Sequence, residues 1–180
     1  MRNSTDLIAI IVEGHTERAI MEILLEHNAL KFSEDDLLEG EIIRARNAKK
    51  FAKEFLNKGF KNRKVKIYRI LDSKTEKFNL PEVYKRKVSE VIEFRTRPEI
   101  EILDIIYHQD YQRYTNNYKS KIKPSDFVKQ YYHDLKSVKS YDENYYFWNS
   151  HYENLIKALK QYKQYHSSEN CIADLLKRFD

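Results

Sequence analysis

The chain has 180 residues, room for one domain or a compact domain with an appendage, and its 33 Lys and Arg against 28 Asp and Glu leave a net charge of +5. No run approaches the roughly 18 apolar residues of a membrane helix, and Met1 to Ile10 lacks the apolar segment of a signal peptide. A single cysteine, Cys171, excludes an internal disulfide and any multi-cysteine metal site, which fits a cytoplasmic setting, and three glycines with three prolines argue against disorder or a turn-rich all-β fold.

Leu7 to Val12 is a near-continuous apolar run of strand length, as in strands covered on both faces. Gly14 supplies a tight turn and Thr16 an N-cap for a helix carrying Ala19, Ile20, Ile23, Leu24 and His27 on one side. Leu37 to Arg44 is a weaker strand candidate. Asn47 then caps a helix with Ala48, Phe51, Ala52, Phe55 and Leu56 on one face, and Gly59 ends it. Val65 to Leu71 reads as a strand ending at Asp72, Leu80 to Lys87 as a short helix or loop, and Val88 to Phe94 as another strand. In RTRPEIEILDIIY, Thr96 and Glu99 have capping-box spacing, Pro98 falls in the first turn, and Ile100, Leu103, Ile106 and Tyr107 form the buried stripe. This alternation predicts an α/β fold with a small, mostly parallel sheet flanked by helices over residues 1–107. Residues 108–180 hold 11 of the 14 tyrosines and no comparable strand. They are expected to form a helical appendage: Ser125 caps a helix bearing Phe127, Val128, Tyr131, Tyr132 and Leu135, a longer helix carries Tyr152 to Tyr162, and Cys171 to Phe179 is a short last one.

Residues 1–42 carry 3 basic and 10 acidic side chains, residues 43–97 carry 18 and 6, and residues 98–180 carry 12 of each. The basic middle third has the charge of a phosphate-binding surface, and equally of a solvated lysine-rich one. In it, Lys49, Lys50 and Lys53 must leave the apolar stripe of their helix and cluster in solvent. Ligands of open parallel sheets bind beyond the carboxyl ends of the strands. Glu13, Asp72, Glu99 and Glu101 fall there, with Glu17 four residues beyond Glu13. Grouped carboxylates of this kind suit Mg²⁺ or Mn²⁺, held by one or two acids together with substrate phosphates.

The segments VEGHTE, ILDSK and RTRPEIEIL, each after an apolar strand, resemble the TOPRIM domain, most of all the version in OLD-type nucleases and small TOPRIM-like proteins of bacterial defence loci. The resemblance covers about residues 5–107. It implies metal ligation by Glu13 and Glu17, places the family's Asp-x-Asp on Asp72 and Lys74, and puts the last acidic motif on Glu99 or Glu101. Lys74 stands where the second aspartate belongs, so it is either a phosphate clamp in a one-metal site or a sign of degeneration. The implied activity is Mg²⁺- or Mn²⁺-dependent hydrolysis of DNA or RNA, with Glu13, Asp72 and Lys74 at the chemistry. The alternative is a catalytically degenerate module that binds nucleic acid or a partner protein.

Plainer readings stand beside these. Glu17 favours a helix N-terminus without any metal, Glu99 is accounted for by the capping box, and Asp72 could begin a turn with Ser73. His15 is a general base or a surface residue, and Arg95 and Arg97 bind phosphate or neutralise Glu93 and Glu99. Tyr111, Tyr114 and Tyr118 have polar neighbours and are the tyrosines best placed to stack on bases. No glycine-rich phosphate loop, nucleophile elbow or zinc spacing is present.

Overall fold

A computed structural model describes residues 6–72 and 77–177. Lys74 and residues 178–180 lie outside that range, as does the end of the helix expected over Cys171 to Phe179. The fold is α/β. Four parallel strands, β1 (Leu7–Val12), β2 (Ile43–Arg44), β3 (Val65–Leu71) and β4 (Val88–Arg95), lie in the order β2-β1-β3-β4. Helix α1 (His15–Glu26) follows β1, α2 (Ala48–Phe55) follows β2, and the one-turn α3 (Glu82–Lys85) precedes β4. Then come α4 (Ile102–Tyr107), α5 (Tyr111–Asn117), α6 (Pro124–Tyr131), α7 (Tyr141–Ser150) and α8 (Tyr152–Tyr165).

Strand alternation divides the core into two layers. Ile10, Val12, Ile70 and Phe94 face a large cluster built from α1, α4 and the later helices, whereas Ala9, Ile11, Val65 and Ile67 face α2 through Phe51, Ala52 and Leu56. Coverage on both sides is why β1 could be apolar throughout. In α1, Ile20, Met21, Ile23 and Leu24 are completely buried. Such side chains each contribute about 1.5–3 kcal/mol as an upper bound. Helix α2 is amphipathic as expected, with Lys49, Lys50 and Lys53 exposed, and the Lys50 N–H donates to the Asn47 side chain at 3.0 Å to cap it.

The strand expected over Leu37 to Arg44 is reduced to Ile43–Arg44, because two short 3₁₀ turns, Glu34–Asp36 and Leu38–Gly40, occupy the approach. The N-cap of α1 is Gly14, at φ −101°, so this glycine is not there for a left-handed turn; Thr16 lies inside the helix and is buried. The capping box of Thr96 and Glu99 does not form either. Thr96 is buried, Pro98 precedes the helix after a cis Arg97–Pro98 peptide, and the Glu99 carboxylate is used elsewhere.

The helical part shares the α1-side core and is not a separate body: Phe127, Trp148, Leu155, Leu159 and Tyr162 pack in the same cluster as Ile10 and Ile70. Its end is tied back at two places. The Lys177 N–H donates to the Ala29 carbonyl at 2.8 Å, and the Arg95 N–H donates to the Asn170 carbonyl at 2.8 Å. Ser125 is not a cap but the second residue of α6. The tyrosines proposed for base stacking are engaged within the protein. Tyr114 is buried and donates to the Ile122 carbonyl, Tyr111 stacks on Tyr165 with centroids 4.0 Å apart, and Tyr118 accepts from Tyr131 at 3.1 Å. Among the described residues no helix is long and apolar enough to cross a membrane.

Candidate functional site

The strand order sets the site. From β1 the chain moves to β2 on one side and then crosses back to β3 on the other, so the topological switch lies between β1 and β3. A crevice opens beyond the carboxyl ends of strands at such a point. Glu13 leaves β1 there, Asp72 leaves β3, the Thr96 to Glu101 segment leaves β4, and α1 begins at the same edge.

Alternation decides which acids meet. Glu13 continues the Ala9–Ile11 parity towards the α2 layer, and Asp72 continues the Ile70 parity towards α1. Glu13 is 8% exposed, and its Oε1 accepts from Arg69 at 3.2 Å. Arg69, itself 1% exposed and in register with Ile11, also donates to Glu93 at 3.0 Å and lies over the Phe78 ring at 4.6 Å. Glu93 continues the chain to Arg95 through a very short contact. Arg95 therefore neutralises Glu93, while Arg97 pairs with Glu169 and not with Glu99.

On the α1 side, Glu17, Asp72, Glu99 and Glu101 interact electrostatically around one cation, Lys139, from the loop between α6 and α7. Burial, reinforced by Asp72, raises the Glu17 pKa even though its own backbone N–H opposes the shift. That carboxylate folds back over Gly14 so closely that a Cβ there would lie 2.0 Å from Glu17 Oε2. A side chain at Gly14 would therefore displace the Glu17 carboxylate from this position, while the backbone angle itself does not call for glycine. Glu101 is 3% exposed, and burial, with Glu99 and Glu17 adding repulsion, pushes its pKa up to about 7. Glu99 behaves oppositely. Burial works against its charge, but hydrogen bonds from Ser125 and Lys139, the latter at 3.2 Å, hold it below its ordinary value. Burial disfavours the Lys139 ammonium, yet Glu101, Glu99 and Asp72 together raise its pKa. Beneath them Asp104 is buried, its pKa raised well above the usual value by burial and then by Glu101, and its Oδ2 has no hydrogen-bond partner among the described residues.

One ammonium among four carboxylates leaves the cluster net acidic. All the donors are oxygens, which suits Mg²⁺ or Mn²⁺. Among the described residues, however, no three His, Cys, Asp or Glu groups stand close enough to hold an ion by themselves.

Two cation-bearing hollows flank the acids. A groove of about 440 Å³ at the β2–α2 junction is lined by Arg18, Arg44, Arg46 and Lys50 together with Glu41 and Glu54. Arg46 acts electrostatically on Glu17, and Arg44 Nε donates to the Glu13 carbonyl at 3.4 Å. Of the three predicted nucleic-acid lysines, Lys50 lines this groove, while Lys49 and Lys53 lie on the exposed face of α2 beyond it. On the other side, a cleft of about 480 Å³ is lined by Asp72, Arg97, Pro98, Lys119 and His166. Sequence reasoning passed over Arg44, Arg46, Arg69, Lys119, Lys139 and His166. Arg44 and Arg46 were visible as a basic pair beside a strand end; the others carry no local signal. Compared with protein-family models, curated proteins and solved structures, the chain matches none.

Proposed function

We propose that the protein is a divalent-metal-dependent phosphodiesterase acting on nucleic acid, of the TOPRIM-like kind its strand-end motifs resemble, working in the cytoplasm. The observation that carries this reading is the net-acidic cluster at the topological switch, the buried Glu17 and Glu101 with Asp72, between two basic hollows. Glu17, Asp72 and Glu101 would meet the ion largely through its own waters, because no three of the described acids stand close enough to hold it directly, and Glu13, held by Arg69, points to the α2 layer. When bound, the ion supplies Lewis-acid polarisation of a phosphate and a water of lowered pKa. Arg44, Arg46 and Lys50 hold the strand's backbone and offset charge that grows in the transition state. Lys139 keeps Glu99 ionised and turned towards α6, which leaves Glu101 as the acid of that pair facing the cluster.

The test is cleavage of plasmid, single-stranded DNA and RNA with Mg²⁺ or Mn²⁺. Asp72→Asn and Glu101→Gln are expected to lower the rate by about a hundredfold or more, because losing even an outer partner of a bound metal costs roughly 10–100-fold. Glu13→Gln should also be impaired. Rates equal to wild type in all three would remove the assignment.

A second reading, a degenerate module that binds nucleic acid or a protein, is favoured by Lys139 standing among the acids as their built-in cation. The phosphodiesterase reading and the nucleic-acid form of the second both require the basic groove to hold a phosphate backbone. Affinity for a fluorescent duplex or single strand should then fall steeply with salt, since each neutralised phosphate releases counterions. Neutralising Arg44, Arg46, Lys49 and Lys50 together should flatten the log–log slope by about three units, at about 0.7–0.9 for each phosphate that no longer meets a cation. Asp72→Asn should leave the slope unchanged. Absence of binding at low salt would turn the assignment towards a protein partner.

A further inference from the structure

We propose that the cleft beside Asp72 seats one phosphate group of the bound chain, held by Arg97, Lys119 and His166, and that supplying the last two is what the helical part contributes to the site. The proposal rests on the phosphodiesterase reading only for which phosphate is bound. The three residues come from three separate elements: Arg97 follows β4, Lys119 follows α5, and His166 is the C-cap of α8. Three donors converging from different directions suit a tetrahedral anion better than a planar carboxylate.

Each is prepared for the task in its own way. Arg97 is fixed: its backbone N–H donates to the Tyr162 hydroxyl at 2.7 Å, and its guanidinium is gripped by Glu169 while its side chain stays 19% exposed. Because Glu169 offsets that charge, Arg97 orients more than it attracts. Lys119 supplies the attraction, since it is exposed and makes no ion pair among the described residues. The imidazole of His166 is stacked on Tyr162 at 4.2 Å and 17°, and its Nδ1 lies 3.1 Å from the Tyr162 carbonyl. A carbonyl oxygen only accepts, so Nδ1 carries the hydrogen and Nε2 is the ring atom left for a ligand. Burial, then the charges of Lys119 and Arg97, lowers the His166 pKa, in keeping with the three groups lining one cleft. An anion arriving among them would compensate the two cations and turn His166 into a third donor. Asp72 also lines the cleft, so the phosphate would lie next to the acid cluster.

The experiment follows the His166 ring resonances by NMR, assigned by their loss in His166→Gln, during titration with inorganic phosphate at neutral pH without divalent metal. They are expected to shift saturably. Lys119→Gln, an exposed position whose folding is checked by an unchanged thermal midpoint, should weaken phosphate binding roughly tenfold or more, as expected for a lost charge-assisted hydrogen bond. Glu101→Gln should not weaken it. A His166 ring that stays unmoved while Arg44 and Lys50 respond would overturn the proposal, and so would Lys119→Gln binding as tightly as wild type. Phosphate binding in the cleft without nucleic-acid cleavage would sink the phosphodiesterase reading alone. Cleavage with an unmoved His166 would sink the cleft alone.

Discussion

Replacing Arg69 by methionine is expected to cost about 3–5 kcal/mol of folding stability, the usual effect of removing one partner of a buried ion pair. Arg69 is 1% exposed and meets Glu13, whose side chain is 10% exposed, on one side and Glu93 on the other. Glu93 is a third exposed and can be resolvated. Glu13 is far less exposed, and it would lose its Arg69 partner in a poorly hydrated layer between β1 and α2. Phe78 would also lose the cation above its ring. The double variant Arg69→Met/Glu13→Gln should recover most of the loss, because the damage is the buried charge that Glu13 keeps and not the missing attraction. Arg69→Lys should fall between, since a single ammonium cannot bridge two carboxylates as the guanidinium fork does. Urea unfolding at neutral pH measures all three. A cost under about 1 kcal/mol for Arg69→Met would mean that Glu13 is well hydrated.

That pair also shows where the sequence was legible and where it was not. The strand and helix order could be read because β1, α2, β3 and β4 each bury a face whose period survives in one line of text. The parallel sheet followed from that order, as did the gathering of acids at its carboxyl edge. The parity of Glu13 could also have been taken from Ala9 and Ile11, which share its face. Arg69 hid in VKIYRIL, where a buried arginine reads as a surface residue until its two carboxylates are known. Helices α5 and α7 were missed because YQRYTNN and YDENYYFWNS bury aromatic rings among polar residues and leave no clean apolar stripe. Lys139, Lys119 and His166 reach the site through long-range packing of the helical part, and nothing within a few residues of them announces it. The base-stacking reading of Tyr111, Tyr114 and Tyr118 met a related obstacle: polar neighbours in sequence do not reveal that Tyr165, Ile122 and Tyr131 engage these tyrosines, of which Tyr114 is buried and the other two half-buried.

Glu101→Gln should stabilise the protein at pH 8 and leave it nearly unchanged at pH 4. The carboxyl has an ordinary pKa of 4.5 and one of about 7 in the fold, where burial is the main cause. A raised acid binds more protons folded than unfolded, so stability falls as pH rises from about 4.5 through about 7. At 1.36 kcal/mol per unit, the penalty once both states are ionised is on the order of 3 kcal/mol. Glu17 and Asp104, also raised by burial, push the same way. Glu99, held low by Ser125 and Lys139, acts in the opposite sense but only below its ordinary range, so it does not enter this window. Comparing Glu101→Gln with wild type at each pH cancels the part of these contributions that does not depend on the Glu101 charge, and the relief of Asp104, which Glu101 itself raises, adds to the difference in the same direction. If the cluster holds Mg²⁺, the cation should remove much of the penalty, raising the wild-type melting temperature at pH 8 more than at pH 5, where protons compete for Glu101. The same Mg²⁺ should raise that of Glu101→Gln far less. Equal stabilisation of both proteins would place any bound ion away from Glu101, and a variant no more stable than wild type at pH 8 would show that the carboxyl titrates in contact with water.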